Sequence, residues 1–204
     1  MVSSRRNAFS LIEMFIVVAL MGVLAAVVLT STNPTSYDQL HSTAEVIAAD
    51  IAYARSLAVA NGTKYRLAFD SSLNQYVLQH TGTNSAFDAL PPNPLVPNSS
   101  AGTQQVVRLA ELPRVGQAVQ IFGVLTSGGG AQTVSDLEFG PLGQLTRTQD
   151  TVVWLACGTG AQARYLSVRV NAVSGLCWIE NYQDAQPAVA NASTPLPVGV
   201  DVNG

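Results

Sequence analysis

The pattern of apolar and polar residues begins with a long apolar run. Between Phe9 and Leu29 only Ser10 and Glu13 are conspicuously polar. A helix of this length spans about 31 Å at about 1.5 Å per residue, close to the roughly 30 Å thickness of the hydrocarbon core of a bilayer. Residues 9–30 are therefore predicted to form a transmembrane and assembly helix.

A second, amphipathic helix is predicted over residues 35–62. Pro34 lacks an N–H and disfavours helical backbone at the residue before it, so the chain is expected to kink or break there. Apolar residues then recur at spacings of three and four from Tyr37 to Ala58, and Gly62 suits the end of the helix. The apolar stripe is interpreted mainly as a surface that packs on the following domain, with a partner-helix surface as the alternative.

From Thr63 onward the period changes to the alternation of strands, which predicts a β-rich globular domain over residues 63–182. Residues 81–103 are rich in Gly, Asn, Ser and Pro and are predicted to be an irregular loop. Residues 183–204 are predicted to be a flexible tail. The expected fold class is α+β, with a long N-terminal helix kinked near Pro34 and an antiparallel β-sandwich-like domain. Strands are predicted at 64–69, 75–80, 105–109, 118–124, 136–139, 152–156, 165–170 and 176–180.

Charge changes this picture in two ways. Arg5 and Arg6 precede the apolar run and favour a cytoplasmic N-terminus, with the C-terminal domain exported. The formal net charge is −3, and residues 170–204 contain no Lys or Arg, so no nucleic-acid partner is expected.

The segment Ala8-Phe9-Ser10-Leu11-Ile12-Glu13 resembles the processing site of type IV pilins and type II secretion pseudopilins. The resemblance implies that residues 1–8 are a leader, that a prepilin peptidase cuts between Ala8 and Phe9, and that Phe9 is then N-methylated. It also implies that Glu13, the fifth mature residue, directs assembly. A secretory signal peptide and an ordinary single-span anchor are the alternatives; the apolar run is long for the first, and the second would avoid a carboxylate at this depth.

The second predicted helix resembles the GspH/FimT branch of this family, where an Asp-Leu-x-x-Ala-Arg-Ser-x-Ala pattern precedes the first strand. Ile51 stands in place of the Leu. The segment 137–143 and the strands after it also resemble the C-terminal sheet of that branch. The matching positions of the helix pattern are Asp50, Ala54, Arg55, Ser56 and Ala58.

The resemblance implies a minor pseudopilin of a type II secretion-like system, anchored in the inner membrane beside sister pseudopilins. Glu13 would neutralise the methylated amine of a neighbouring Phe9. The alternative is a DNA-binding minor pilin of a competence pilus, which the acidic balance disfavours. A membrane-tethered enzyme is a third reading, but the chain has no nucleophile-elbow motif.

Other candidate sites are few. Cys157 and Cys177 lie in the part expected to be exported, where a disulfide between them can persist; if their strands flank a third, they would lie about 9–10 Å apart, too far to bridge. His41 and His80 are interpreted as exposed or hydrogen-bonded side chains. No dense acidic cluster is present, so neither a metal nor another cofactor is expected.

Cleavage between Ala8 and Phe9 is the first testable prediction. Mass spectrometry of the membrane-extracted protein should find a chain that begins at a methylated Phe9. A chain that retains Met1, or one cut after Leu29, would contradict the prepilin interpretation.

Overall fold

The computed structural model describes residues 10–30, 35–91, 102–112, 118–128, 131–185 and 187, without the side chains of 25–30 and 161. The chain divides into two units, Met1–Thr35 and Ser36–Gly204. The predicted kink at Pro34 and the leader 1–8 lie outside the described residues. The elements are α1 (Leu11–Thr30), α2 (Ser36–Asn61), β1 (Tyr65–Asp70), β2 (Gln75–His80), β3 (Gln104–Arg108), β4 (Val119–Ser127), β5 (Thr133–Val134), β6 (Asp136–Phe139), β7 (Asp150–Cys157), β8 (Arg164–Val170) and β9 (Cys177–Ile179).

The strands form two antiparallel sheets, and the α+β class with antiparallel sheets is confirmed. The first sheet has the order β3-β2-β1-β6, and the second has the order β5-β4-β7-β8-β9. A β-bulge in β4 between Ile121 and Gly123 shifts the register against β7. Phe122, at the bulge, packs edge to face on Tyr165 of β8, with ring centroids 5.4 Å apart.

Helix α2 packs against strands of both sheets, chiefly β1, β7, β8 and β9. Its apolar stripe is almost fully buried, as the three-and-four spacing predicts, except that Tyr37 is half exposed. Burying one Leu or Ile side chain contributes about 1.5–3 kcal/mol, so this stripe is a main source of stability for the domain. The buried residues of the stripe are Leu40, Ala44, Ile47, Ile51, Ala54 and Ala58.

The end of α2 is fixed by backbone geometry. Gly62 adopts a left-handed conformation with φ of 59°. The N–H of Gly62 donates to the Val59 carbonyl at 3.3 Å, and the N–H of Thr63 donates to the Ala58 carbonyl at 3.1 Å. These two bonds satisfy carbonyls that would otherwise lack partners at the helix end. The chain is thereby turned directly into β1.

Asn74, in the turn between β1 and β2, joins the two sheets. Its side-chain amide accepts from the Ile121 N–H at 2.8 Å and donates to the Val119 carbonyl at 2.9 Å. The side chain therefore pairs with the edge of β4 as a neighbouring strand would. Asn74 also has a positive φ of 50°, a conformation that Asn adopts more readily than most residues.

Strand β5 was not predicted, and two segments are more ordered than the sequence predicts. The described ends of the predicted irregular loop 81–103 contain a 3₁₀ turn, Ser85–Phe87, and Leu90 pairs with Gly102. Leu90 is buried, which explains why this part of the loop is held in place. The start of the predicted tail 183–204 is also held, because Gln183 and Tyr165 exchange two backbone hydrogen bonds of 2.9 Å.

The bridge made by Asn74 can be tested by substitution. Asn74→Ala removes both hydrogen bonds and strains the backbone, and should lower the free energy of unfolding by about 2–3 kcal/mol. Asn74→Gly removes the same bonds without the strain and should cost about 1 kcal/mol less. Urea denaturation followed by tryptophan fluorescence measures both. Equal stability of the Ala variant and the native protein would show that the bridge contributes nothing.

Candidate assembly site

Glu13, the residue predicted to direct assembly, lies in the first turn of α1. The backbone N–H groups of Glu13 and Met14 donate to the Ser10 carbonyl at 3.0 and 3.2 Å, which starts the helix at this point. A carboxylate near a helix N-terminus is favoured by the helix dipole by about 0.3–1 kcal/mol. Ala8 and Phe9 lie outside the described residues.

The described side chains of α1 are all exposed in the isolated chain. They include large apolar residues on every side of the helix, from Leu11 at 77% exposure to Val17 at 42%. A helix that is apolar all round requires an apolar environment on all its faces. Among the described residues, whose α1 side chains end at Leu24, no helix is long and apolar enough to cross a membrane.

The residues that match the GspH/FimT helix pattern have structural contacts inside the domain. Arg55 is the most connected of them: its Nε donates to the Ser174 carbonyl at 2.9 Å and to the Gly143 carbonyl at 3.2 Å. One side chain therefore ties α2 to the turn after β6 and to the turn between β8 and β9. The remaining positions of the pattern pack or bond locally: Ala54 and Ala58 are fully buried, and the Ser56 hydroxyl donates to the Tyr53 carbonyl at 2.7 Å.

Asp50 is a nearly buried carboxylate, 9% exposed, on the face of α2 that meets the first sheet. Its Oδ2 accepts from the Tyr76 hydroxyl at 2.6 Å. Burial raises the pKa of the Asp50 carboxyl, and the bond from Tyr76 opposes that rise. Burial, with the neighbouring Asp50 charge, raises the pKa of Tyr76 well above its ordinary value, so the phenol stays protonated and can donate.

The disulfide that the sequence left possible between Cys157 and Cys177 is not formed in the structure, where both are free thiols. Their strands, β7 and β9, flank β8. Cys157 pairs with Arg164 at one end of β8, whereas Cys177 pairs with Val170 at the other end. The length of β8, about 20 Å at about 3.3 Å per residue, therefore separates them, and a disulfide requires Cα atoms within about 7 Å.

Each thiol has its own partner under α2. The Cys157 Sγ donates to Gln39 Oε1 at 3.6 Å, and the Cys177 Sγ donates to the Ala48 carbonyl at 3.5 Å. Burial raises the pKa of both thiols, which keeps them protonated and poorly reactive.

His80 is hydrogen-bonded, one of the two expectations from the sequence, but its partners were not predicted. Its side chain is fully buried, with Nδ1 2.6 Å from Asp88 Oδ1 and Nε2 2.9 Å from Thr63 Oγ1. A Cβ added at Gly82 would lie 1.9 Å from the Thr63 hydroxyl oxygen, so the backbone covers that oxygen. This arrangement holds the segment after β2 in place.

His41, the other histidine considered in the sequence, lies on the surface of α2. Its Nδ1 is 3.4 Å from Glu45 Oε1 on the same helix. The part of the chain that the structure describes has no group of three or more His, Cys, Asp or Glu side chains that would hold a metal ion.

Comparison with known proteins identifies the family. The family model of the type II transport protein GspH matches residues 43–175, more than half of the chain. The match covers most of α2 and the strands through β8, including Asp50 and Arg55. The chain therefore belongs to the GspH family.

Two crystal structures of the type IV minor pilin FimU of Pseudomonas aeruginosa are similar to this chain. One has 16% sequence identity and a TM-score of 0.41, and the similarity covers 74% of this chain and 92% of that chain. The other crystal form has the same identity and TM-score, with coverage of 70% and 93%. No curated protein sequence matches.

The Asp50–Tyr76 pair generates a pH-dependent prediction. A carboxyl whose pKa is raised on folding stabilises the protein below its unfolded pKa, near 3.8, and that contribution is lost as the pH rises through the folded pKa. Asp50→Asn keeps an acceptor for Tyr76 but removes the charge. At pH 7 the free energy of unfolding of this variant, measured by urea titration, should therefore exceed that of the native protein by about 1 kcal/mol. The difference should shrink towards pH 4.

Tyr76→Phe is the matched control, because it leaves the carboxylate buried without its donor. It should destabilise the protein more at pH 7 than at pH 4. A pH-independent difference for both variants would contradict the assignment of a buried charge at Asp50.

Proposed function

We propose that this protein is a minor pseudopilin, a structural subunit of a type II secretion-like pseudopilus that takes part in protein secretion. The single observation that carries the proposal is the match of the domain to the type II transport protein GspH. It is supported by α1, which precedes that domain and exposes apolar side chains on all sides with Glu13 in its first turn.

In this proposal a prepilin peptidase removes residues 1–8 and methylates Phe9. Residues 9–30 anchor the subunit in the bacterial inner membrane, with the N-terminus cytoplasmic and the C-terminal domain on the periplasmic side. The same helix then enters a bundle of helices from sister pilins or pseudopilins. Burial of the apolar side chains of α1 in the bundle stabilises assembly but does not select one register between neighbouring subunits.

Glu13 supplies the specificity of assembly. A carboxylate inside an apolar helix bundle is costly by about 2.5–3.5 kcal/mol or more unless it is paired. The methylated amine of a neighbouring Phe9 carries the complementary charge, so the pair forms only when the subunits are in register. The dipole of α1 alone would be worth about 0.3–1 kcal/mol, too little to select one register.

A DNA-binding minor pilin of a competence pilus is the competing function, and the ion pairs of the domain argue against it. Four arginines already pair with carboxylates within the chain, which reduces the charge available to phosphates. The pairs are Arg108–Glu111, Arg147–Asp136, Arg164–Asp184 and Arg169–Glu180. No specific observation favours an enzymatic function.

The proposal predicts that Glu13→Ala leaves membrane insertion and the β-domain intact but reduces assembly. Loss of the carboxylate leaves a neighbouring amine buried without a partner, at a cost of several kcal/mol, so incorporation should fall at least about tenfold. The measurement is cross-linking of native and variant protein to sister pilins in membranes at matched expression levels.

Glu13→Gln is the matched control, since it keeps the size and hydrogen-bonding capacity of the side chain but removes the charge. It should behave like the Ala variant if charge pairing directs assembly. Cross-linking yields equal to those of the native protein for both variants would refute the role of Glu13.

A further inference from the structure

The domain exposes a small apolar patch where the second half of α2 meets two turns. We call Val59, Leu142, Val173 and Leu176 the Leu142 patch. Leu142 and Val173 are each 83% exposed, Leu176 is 57% exposed and Val59 is 49% exposed. Single exposed apolar side chains are common on proteins, but four that the fold brings to neighbouring positions are less so.

Arg55 brings the parts of the patch together. It bonds to the carbonyls of Gly143 and Ser174, which are neighbours in sequence of Leu142 and Val173. A Cβ added at Gly143 would lie 2.9 Å from Val59 Cγ2, and one added at Gly175 would lie 1.8 Å from the Gly143 carbonyl oxygen. Glycine at these two positions, both with positive φ, allows the turns to approach each other and α2 this closely.

The turn that carries Val173 and Leu176 is rigid. The Asn171 Oδ1 accepts from the N–H groups of Val173 and Ser174 at 3.1 and 2.9 Å. Asp150 Oδ1 in turn accepts from the Ala172 N–H at 2.9 Å. The turn is therefore fixed by internal hydrogen bonds while its two largest apolar side chains remain in water.

We infer that the Leu142 patch is a contact surface for the globular domain of a neighbouring pilin-like subunit of the same filament; this inference rests on the proposed function. Two of its four apolar side chains are 83% exposed and the other two are about half exposed. Grouped exposed apolar side chains of this kind often mark an interaction site. The patch is already ordered, so little conformational entropy is lost when it is covered.

The size of the patch selects this occupant over a second copy of the chain in solution. A stable dimer buries about 800 Å² on each partner and involves about 20–30 residues a side, many more than the four residues of the patch. A subunit tethered beside its neighbour through an N-terminal helix experiences an effective concentration of the order of millimolar, at which a small contact is sufficient. The patch therefore fits a contact that forms only between subunits already held in one assembly.

The experiment uses the full-length chain in cells that assemble the filament. A photo-cross-linking residue, p-benzoylphenylalanine, is placed at position 142, at Leu73 as a control and at Ile16 in α1 as a reporter of assembly. Leu73 is the matched control because it is 63% exposed and lies in the turn between β1 and β2. Position 142 should cross-link to another pilin-like subunit with a yield about tenfold above that at position 73.

A second variant tests whether another side chain of the Leu142 patch contributes to the contact detected at position 142. Val173→Ser should reduce the yield at position 142 about fivefold, as expected for the loss of an interface anchor. Because Val173 is exposed, the variant should have the same midpoint of thermal unfolding as the native protein. Thermal unfolding of the purified protein provides this control.

The outcomes separate the inference from the proposed function. Cross-links at position 16 with only the Leu73 background at position 142 would overturn the inference and leave the proposed function in place. Cross-links at position 142 only to a second copy of this chain, or only to lipid, would also overturn it. No cross-link to a pilin-like subunit at either position 16 or 142 would overturn the proposed function itself.

Discussion

The burial of one face of α2 against both sheets is the interaction on which the rest of the domain depends. Its apolar stripe, from Leu40 to Ala58, is almost completely removed from water. In the part of the chain that the structure describes, no backbone ladder joins the two sheets. The helix therefore supplies the common surface on which β1 of the first sheet and β7–β9 of the second sheet pack, while Asn74 adds a polar link between the sheets.

This constraint explains the residues of the family pattern in α2. Small side chains at Ala54 and Ala58 are fully buried where the helix meets the strands. Arg55 projects from the same helix to two turns that are far away in sequence, and Asp50 bonds to Tyr76 of β2. These residues connect the helix to the turns and the first sheet. Their physical role is to fix the domain, and the proposed assembly function lies in α1 and in surfaces that the domain presents.

The division of roles has a physical basis. The domain buries the apolar stripe of α2 against its own strands. Its two thiols and His80 are hydrogen-bonded within the chain. Helix α1, by contrast, has exposed apolar side chains on all sides and a carboxylate in its first turn. Within the described part of the chain, α1 is therefore the element that gains most from an apolar environment outside the chain. Such a helix is suited to association, whereas the domain is suited to presenting fixed surfaces.

The sequence by itself determined most of the elements of this protein, although it did not predict the short strand β5. Periodicity reports burial, so the spacing of apolar residues predicted the stripe of α2, and alternation predicted a strand over 136–139, where β6 is found. Gly62 marked the helix end because few other residues adopt a positive φ at so little cost. The α2 pattern also resembled that of the GspH family, and in the structure its residues pack or bond inside the domain.

Only the tertiary structure decided which distant residues meet. Local periodicity does not specify strand order or register, so the sequence left the Cys157–Cys177 pairing open. In the structure the two thiols lie near opposite ends of β8 and are separated by its length. The contacts of Arg55 with Gly143 and Ser174, of Asn74 with β4, and of His80 with Asp88 and Thr63 likewise depend on how the elements are stacked. A local pattern reports whether a side chain is buried, but the partner of a polar group is set by the path of the whole chain.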